Sequence, residues 1–281
     1  MNNSTFALGG DLGVHRLGFG AMRITGEGIW GWPADREKAR RLLRRVLELG
    51  INLIDTADAY GPETSEYLIA AALAPYAPGL VIATKGGLTR GGPSDWQTDG
   101  RPEHLRRAVE NSLRRLELER IELYQFHAID DDVPLEESLG AIALMQQQGK
   151  IRHVGVSNFT VAEIERARKV VDVVSVQNRY NLITRKHEPV LDYCTAHNIG
   201  FIPWYPLAVG SLGDDERLIE MAARYEATAS QIALAWLLHR SPVMLPIPGT
   251  SSIAHLEENA AAGDIRLEQG DFEMLSAIDA F

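Results

Sequence analysis

Short apolar runs alternate with longer segments of helical periodicity from one end of the chain to the other. Eight such runs stand out, at residues 17–22, 52–55, 80–84, 121–127, 153–156, 173–177, 200–204 and 243–247. Their apolar character is nearly unbroken, which suits parallel strands covered by helices better than half-exposed antiparallel ones. Between the runs, Ala39, Leu42, Leu43, Val46 and Leu47 share one helical face, with Arg and Glu filling the other. Leu105, Ala108, Val109, Ser112, Leu113 and Leu116 repeat the pattern, as do Leu135, Leu139, Ile142 and Met145, and later Ile232, Ala235, Trp236 and Leu238. Gly50, Gly149 and Gly200 stand between a helix and the next strand, where a left-handed cap is wanted.

Eight strand–helix units predict an α/β fold, a (β/α)8 TIM barrel that takes up residues 1–281 as one domain. A doubly wound open sheet would call for a Gly-x-Gly-x-x-Gly turn after the first strand, a spacing that Leu17-Gly18-Phe19-Gly20 lacks. Ahead of the first strand, residues 6–8 and 14–16 flank the turn-like Gly9-Gly10-Asp11, which predicts an N-terminal β-hairpin capping one end of the barrel. A last helix is expected over 272–278, close enough to Phe281 that the barrel mouth should be open.

Composition narrows the partners. With 45% apolar residues the 281-residue chain can bury a sizeable core, and its formal net charge of −10 argues against a nucleic-acid or anionic-membrane surface. The single cysteine, Cys194, rules out an intrachain disulfide and a thiolate metal cage; it falls in an apolar helical stretch and reads as a buried structural thiol. No metal site is expected. Neither a signal-peptide pattern nor an apolar run of about 20 residues is present, so a cytoplasmic protein, monomeric or weakly self-associating, is expected.

In a barrel of this kind reactive groups sit where strands end. Asp55 and Tyr60 follow the second run, Lys85 ends the third and His127 ends the fourth. A free tyrosine has a pKa of about 10, too high for efficient proton exchange at neutral pH. A neighbouring ammonium stabilises the phenolate and lowers that value, and an aspartate beside the lysine keeps it charged. Lys85 and Asp55 can fill those parts, while His127 can orient a substrate oxygen. Singly, each has a plain structural explanation: a turn cap, a solvent-seeking lysine, a core histidine. Together, at three successive strand ends, they read as a catalytic tetrad.

The segments Ile54-Asp55-Thr56-Ala57-x-x-Tyr60-Gly61, Thr84-Lys85, Gln125-Phe126-His127 and Gly155-Val156-Ser157-Asn158-Phe159 resemble the signature segments of the aldo-keto reductases. The resemblance covers essentially the whole chain and is nearest to short bacterial members of the pyridoxal reductase type. It implies hydride transfer from C4 of a nicotinamide to a carbonyl carbon, with Tyr60 as general acid, Lys85 and Asp55 tuning it, and His127 orienting the carbonyl. A small carbonyl compound, pyridoxal or another ring-bearing aldehyde or ketone, is the substrate so implied.

The resemblance also assigns a cofactor rim. Ser157, Asn158 and Gln177 match the family's carboxamide contacts, and Trp204 in Trp204-Tyr205-Pro206-Leu207 is the ring against one nicotinamide face. The next loop, with Gly210 and Ser211, is small enough for backbone N–H groups to approach a pyrophosphate. Gly249, Thr250 and Ser251 lead into a helix whose free N–H groups suit an adenosine 2′-phosphate. Gly249 stands where relatives often carry lysine, and His255 where they often carry arginine, while Glu258 and Asn259 keep the adenine-side pattern. NADPH is the expected cofactor, with NADH as the alternative that those two missing cations leave open. Trp30, Trp32 and Trp96 are candidates for the substrate wall.

Two other readings compete. A non-catalytic NADP(H)-binding redox sensor would keep the rim without needing the tetrad. A lyase or isomerase would use Lys85 as a Schiff base, but would leave Ser157, Asn158, Gln177 and Trp204 without a shared purpose.

Overall fold

The computed structural model describes residues 5–208 and 215–278. Strands β1 (Thr5–Leu8) and β2 (Leu12–His15) form the expected antiparallel hairpin, turned by Gly9 and Gly10 at positive φ. Its buried face, Phe6, Leu8, Leu12 and Val14, closes the barrel floor. A Cβ on Gly200 would lie 2.6 Å from Leu8 Cδ2, so that glycine lets the hairpin seat against the start of a barrel strand. The left-handed cap expected at Gly200 belongs instead to Asn198, at φ 53°; Gly50 and Gly149 do adopt positive φ.

The barrel wall consists of β3 (Phe19–Gly20), β4 (Leu53–Asp55), β5 (Val81–Gly86), β8 (Ile121–Phe126), β9 (Ile151–Ser157), β10 (Val173–Arg179) and β11 (Gly200–Trp204), all parallel in that spatial order. After β5 the chain makes a second hairpin, β6 (Leu88–Gly92) with β7 (Asp95–Thr98), which the apolar pattern does not announce because Leu88 and Trp96 are its only large apolar residues and β7 is exposed. Helices cover the wall, among them Arg36–Glu48, Pro102–Arg115 and Leu135–Gln147, each burying the predicted stripe. The first is started by Asp35, whose side chain accepts from Lys38 N.

The run at 243–247 occupies the eighth wall position without forming a full ladder. On one side Phe201 N donates to Val243 O and Leu245 N to Phe201 O, each at 2.8 Å; on the other Gly18 N donates to Pro246 O at 2.9 Å and Gly20 N to Pro248 O. Pro246 and Pro248 have no N–H to return, so the expected eighth strand is reduced to a bridged, carbonyl-accepting segment. The first strand is likewise shorter than its apolar run, because residues Ala21–Ile24 coil into a 3-10 turn.

Closure is tight at this seam. A Cβ on Gly20 would stand 2.6 Å from Ile247 O, a backbone atom that cannot swing aside. Gly20→Ala is therefore expected to lower Tm by about 2–10 °C, the equivalent of roughly 1–3 kcal/mol of overpacking. An unchanged Tm in a thermal scan would show that the seam is looser than these contacts imply.

Candidate active site

Asp55 leaves β4 and Lys85 leaves β5, adjacent strands in register, so both side chains enter the same end of the barrel. The turn after Asp55 is anchored back on β5: Thr56 N donates to Ala83 O and Asp58 N to Lys85 O. That tether carries Tyr60 over the lysine.

Lys85 is fully buried and donates from Nζ to Asp55 Oδ2 at 2.7 Å, Thr56 O at 2.8 Å and Tyr60 Oη at 3.3 Å. Asp55 Oδ1 accepts from Gln125 Nε2 on β8 and Gln177 Nε2 on β10, each at 2.9 Å. The pair thus has partners on every side, as a buried ion pair requires. His127 follows β8, and its ring meets that of Tyr60 edge-on with centroids 5.9 Å apart. The four residues expected to form a tetrad are together; Asp55, Tyr60 and His127 line one cavity of about 430 Å3, with Lys85 behind them.

The electrostatics differ from expectation in one respect. Burial works to discharge Lys85, but Asp55 and the Tyr60 oxygen outweigh it and hold the ammonium above the ordinary lysine value. A lysine held charged in this way is a poor nucleophile, which speaks against a Schiff-base reading. Burial also pushes the Tyr60 phenol up; Lys85 pulls it down, as expected, yet burial and the Asp55 charge prevail. The phenol therefore holds its proton more firmly than a free tyrosine rather than less. Burial, then the Lys85 charge, pushes His127 well below the usual histidine range, so its imidazole is neutral. Its Nδ1 is buried with no partner among the described residues, a polar group ready for a ligand.

The rim is partly spent on itself. Asn158, at φ 64°, donates from Nδ2 to His127 O and Ser157 Oγ and accepts from Trp204 Nε1 at 2.9 Å. Ser157 Oγ donates to Gln177 O. Asn158 therefore fixes Trp204 and the His127 backbone before any ligand arrives. Ser157, Asn158, Gln177, Trp204, Tyr205, Pro206, Leu207 and Gly249 all line the cavity. Gly210 and Ser211 lie outside the described residues. Thr250, Ser251, His255, Glu258 and Asn259 extend from the cavity edge along the next helix, Ile253–Ala261, where Ser252 caps and Glu258 accepts from Thr228 Oγ1. A Cβ on Gly249 would come within 2.7 Å of Gly20 O, so no lysine could stand there without moving the seam. A nicotinamide fits this cradle: an aromatic wall at Trp204, an amide at Gln177, and glycines where backbone is approached closely.

Of the three tryptophans expected at the substrate wall, Trp96 lines the cavity and the other two do not. Trp32 meets Tyr67 at a 31° tilt and lies under Arg36 on the outer surface, and Trp30 packs toward Arg90. Met22, Arg23 and Leu88 also line the cavity and were not singled out in the sequence; only the position of Met22 and Arg23 just past the first strand could have flagged them. Gln125 was noticed as part of a motif, but not as a ligand of Asp55.

Comparison with known proteins places this geometry. The model of the Aldo/keto reductase family matches residues 16–280. An uncharacterized oxidoreductase of Schizosaccharomyces pombe is 52% identical over 267 residues, covering 95% of this chain and 87% of that one. The pyridoxine 4-dehydrogenase of Escherichia coli is 41% identical over 285 residues, covering 99% of this chain and 98% of the relative. Among solved structures, an aldo-keto reductase of Klebsiella pneumoniae in complex with NADPH superposes with a TM-score of 0.83 at 29% identity, over 98% of this chain and 94% of the other.

The depressed His127 value is directly measurable. At pH 6.5, the ordinary histidine value, the ring should be neutral, because a group whose pKa is lowered has already lost its proton there. Ring 15N shifts of an imidazolium at that pH would contradict the assignment.

Proposed function

Since the chain belongs to the aldo/keto reductase family, we propose that it is an NADPH-dependent carbonyl reductase in which Tyr60 protonates the substrate oxygen and pyridoxal, or another ring-bearing aldehyde or ketone, is reduced to the alcohol. The observation that carries this reading is the contact of Tyr60 Oη with a lysine ammonium that is itself held 2.7 Å from Asp55, at the edge of a cavity shared with His127. The name of the E. coli relative supports a pyridoxine–pyridoxal substrate pair, and the NADPH bound to the K. pneumoniae structure supports that cofactor.

When bound, NADPH would supply the hydride for the carbonyl carbon. This chain's residues do the rest. Neutral His127 and the Tyr60 hydroxyl flank the carbonyl oxygen and orient it. As negative charge develops there, Tyr60 transfers its phenolic proton to it, and the Lys85 ammonium stabilises the phenolate left behind. One hydride and one proton convert carbonyl to alcohol. Asp55, with Gln125 and Gln177 on its second oxygen, keeps Lys85 charged and stationary. Trp204, tied by Asn158, would be the wall for the nicotinamide ring, and Gln177 would meet its carboxamide. Tyr205, Pro206 and Leu207, which line the same cavity, would complete the cofactor contacts on this side, and the expected pyrophosphate contacts of Gly210 and Ser211 fall outside the described residues. Gly249, Thr250, Ser251 and His255 would hold the phosphate end, with Glu258 and Asn259 toward the adenine.

A phenol whose pKa lies above the usual value is loaded with its proton throughout the neutral range. Reduction should therefore be level across neutrality and fall only above pH about 10, as the acid is lost. Tyr60→Phe should cut kcat for pyridoxal reduction by about 10²–10⁴ without lowering Tm. Wild-type turnover in that variant would exclude Tyr60 as the acid, and a wild-type protein that binds NADPH but reduces no carbonyl would favour the sensor alternative. The ratio of kcat/KM for NADPH over NADH should exceed one; a preference for NADH would overturn the cofactor assignment.

A further inference from the structure

Beyond the tetrad, one side chain has an unusual concentration of partners. Arg90, on β6 at the irregular point of the β6–β7 hairpin, donates from Nη1 to Ile29 O (3.0 Å) and Ala59 O (3.2 Å). Its Nη2 donates to Gly28 O (3.3 Å), Gly92 O (3.2 Å) and Pro93 O (2.6 Å). The guanidinium carbon lies 3.6 Å from the centre of the Trp96 ring and 5.5 Å from that of Trp30. Trp96 in turn meets the Tyr60 ring edge-on at 6.5 Å and lines the catalytic cavity with Leu88.

A two-stranded hairpin with exposed residues along β7 has little stability of its own. What holds this one down is the Arg90 fork: it reaches the 26–31 loop, the hairpin's own tip and the carbonyl of Ala59, the residue before the acid. Gly28 packs against Pro93 at the same junction, where a Cβ would come to 3.2 Å of the proline ring. One guanidinium thus ties the outer wall of the cavity to the loop that carries Tyr60, and it lies close over the Trp96 ring.

We infer that Arg90 is a positioning residue for substrate choice: by clamping Trp96 at a set orientation beside Tyr60, it makes the cavity favour carbonyl compounds bearing a flat ring over small aliphatic ones. The inference rests on the reductase reading. A fixed indole rewards a planar ring that packs against it and gives little to a short chain. Lysine cannot replace arginine here, since a point ammonium neither forks to several carbonyls nor stacks flat on an indole.

The test compares kcat/KM for pyridoxal and benzaldehyde with that for propanal, in wild type, Arg90→Met, Arg90→Lys and Trp96→Ala, with NADPH. The ring-to-aliphatic ratio should fall about tenfold in Arg90→Met and Trp96→Ala, chiefly through KM for the ring substrates. Arg90→Lys should not restore it. An Arg90→Met/Trp96→Ala double variant, assayed alongside, should lose no more than the larger single loss, because both act through one wall. Trp96 is 37% exposed on a surface hairpin, so its truncation leaves a folded protein even where Arg90→Met does not. An unchanged ratio in Trp96→Ala, or full rescue by lysine, would overturn the inference while leaving the reductase reading intact. A wild type that turns over neither class would bring both down.

Discussion

An ammonium and a carboxylate shut away from water stay charged only if every proton and lone pair between them is used. Lys85 and Asp55 meet that condition with partners drawn from four different strands or their ends: β4, β5, β8 and β10. No local segment could supply them. The pair exists because the sheet curls until β10 faces β4, and the acid, the histidine and the cofactor rim are arranged around it. Barrel closure and the chemistry at its mouth are therefore one requirement, met by the same polar contacts.

Behind that pair lies a second buried network that the chemistry does not touch. Glu66 accepts from Thr84 Oγ1 and from Arg115 Nε, each at 2.6 Å, and Arg115 also bonds Glu63. It joins β5 to the helices Thr64–Leu73 and Pro102–Arg115, and so stiffens the strand that presents Lys85. The lysine is thus held from the front by its partners and from the back by its strand.

Much of this was legible in the sequence, for definite physical reasons. Near-continuous apolar runs mark strands covered on both faces, and the runs ending in Asp55, Lys85 and His127 placed three tetrad members at strand ends. The eighth run misled because apolar character reports burial, whereas a ladder also needs N–H groups that Pro246 and Pro248 lack. The Tyr60 pKa was misjudged in sign because the effect of a neighbouring ammonium can be read from residue identity, while the depth of burial opposing it cannot. The tryptophans show the same limit. Trp30, Trp32 and Trp96 are alike in sequence, and only the folded loops separate Trp96, which faces the cavity, from Trp30 and Trp32, which do not. Arg90 was missed because carbonyl acceptors are present in every residue and leave no mark in composition.

The proline-bearing run that closes the barrel has a consequence outside catalysis. Where a sheet opens transiently, its freed edges can template the addition of a stray strand from a neighbouring molecule, a first step toward aggregation. Here the line of easiest parting lies between a two-residue strand and a segment whose alternate positions are imino acids. On the proline-bearing edge an intruding chain would find carbonyls at 246 and 248 but no donors there, and could not zip along it. The least regular edge of the wall is thereby also one of the least able to recruit a wrong partner.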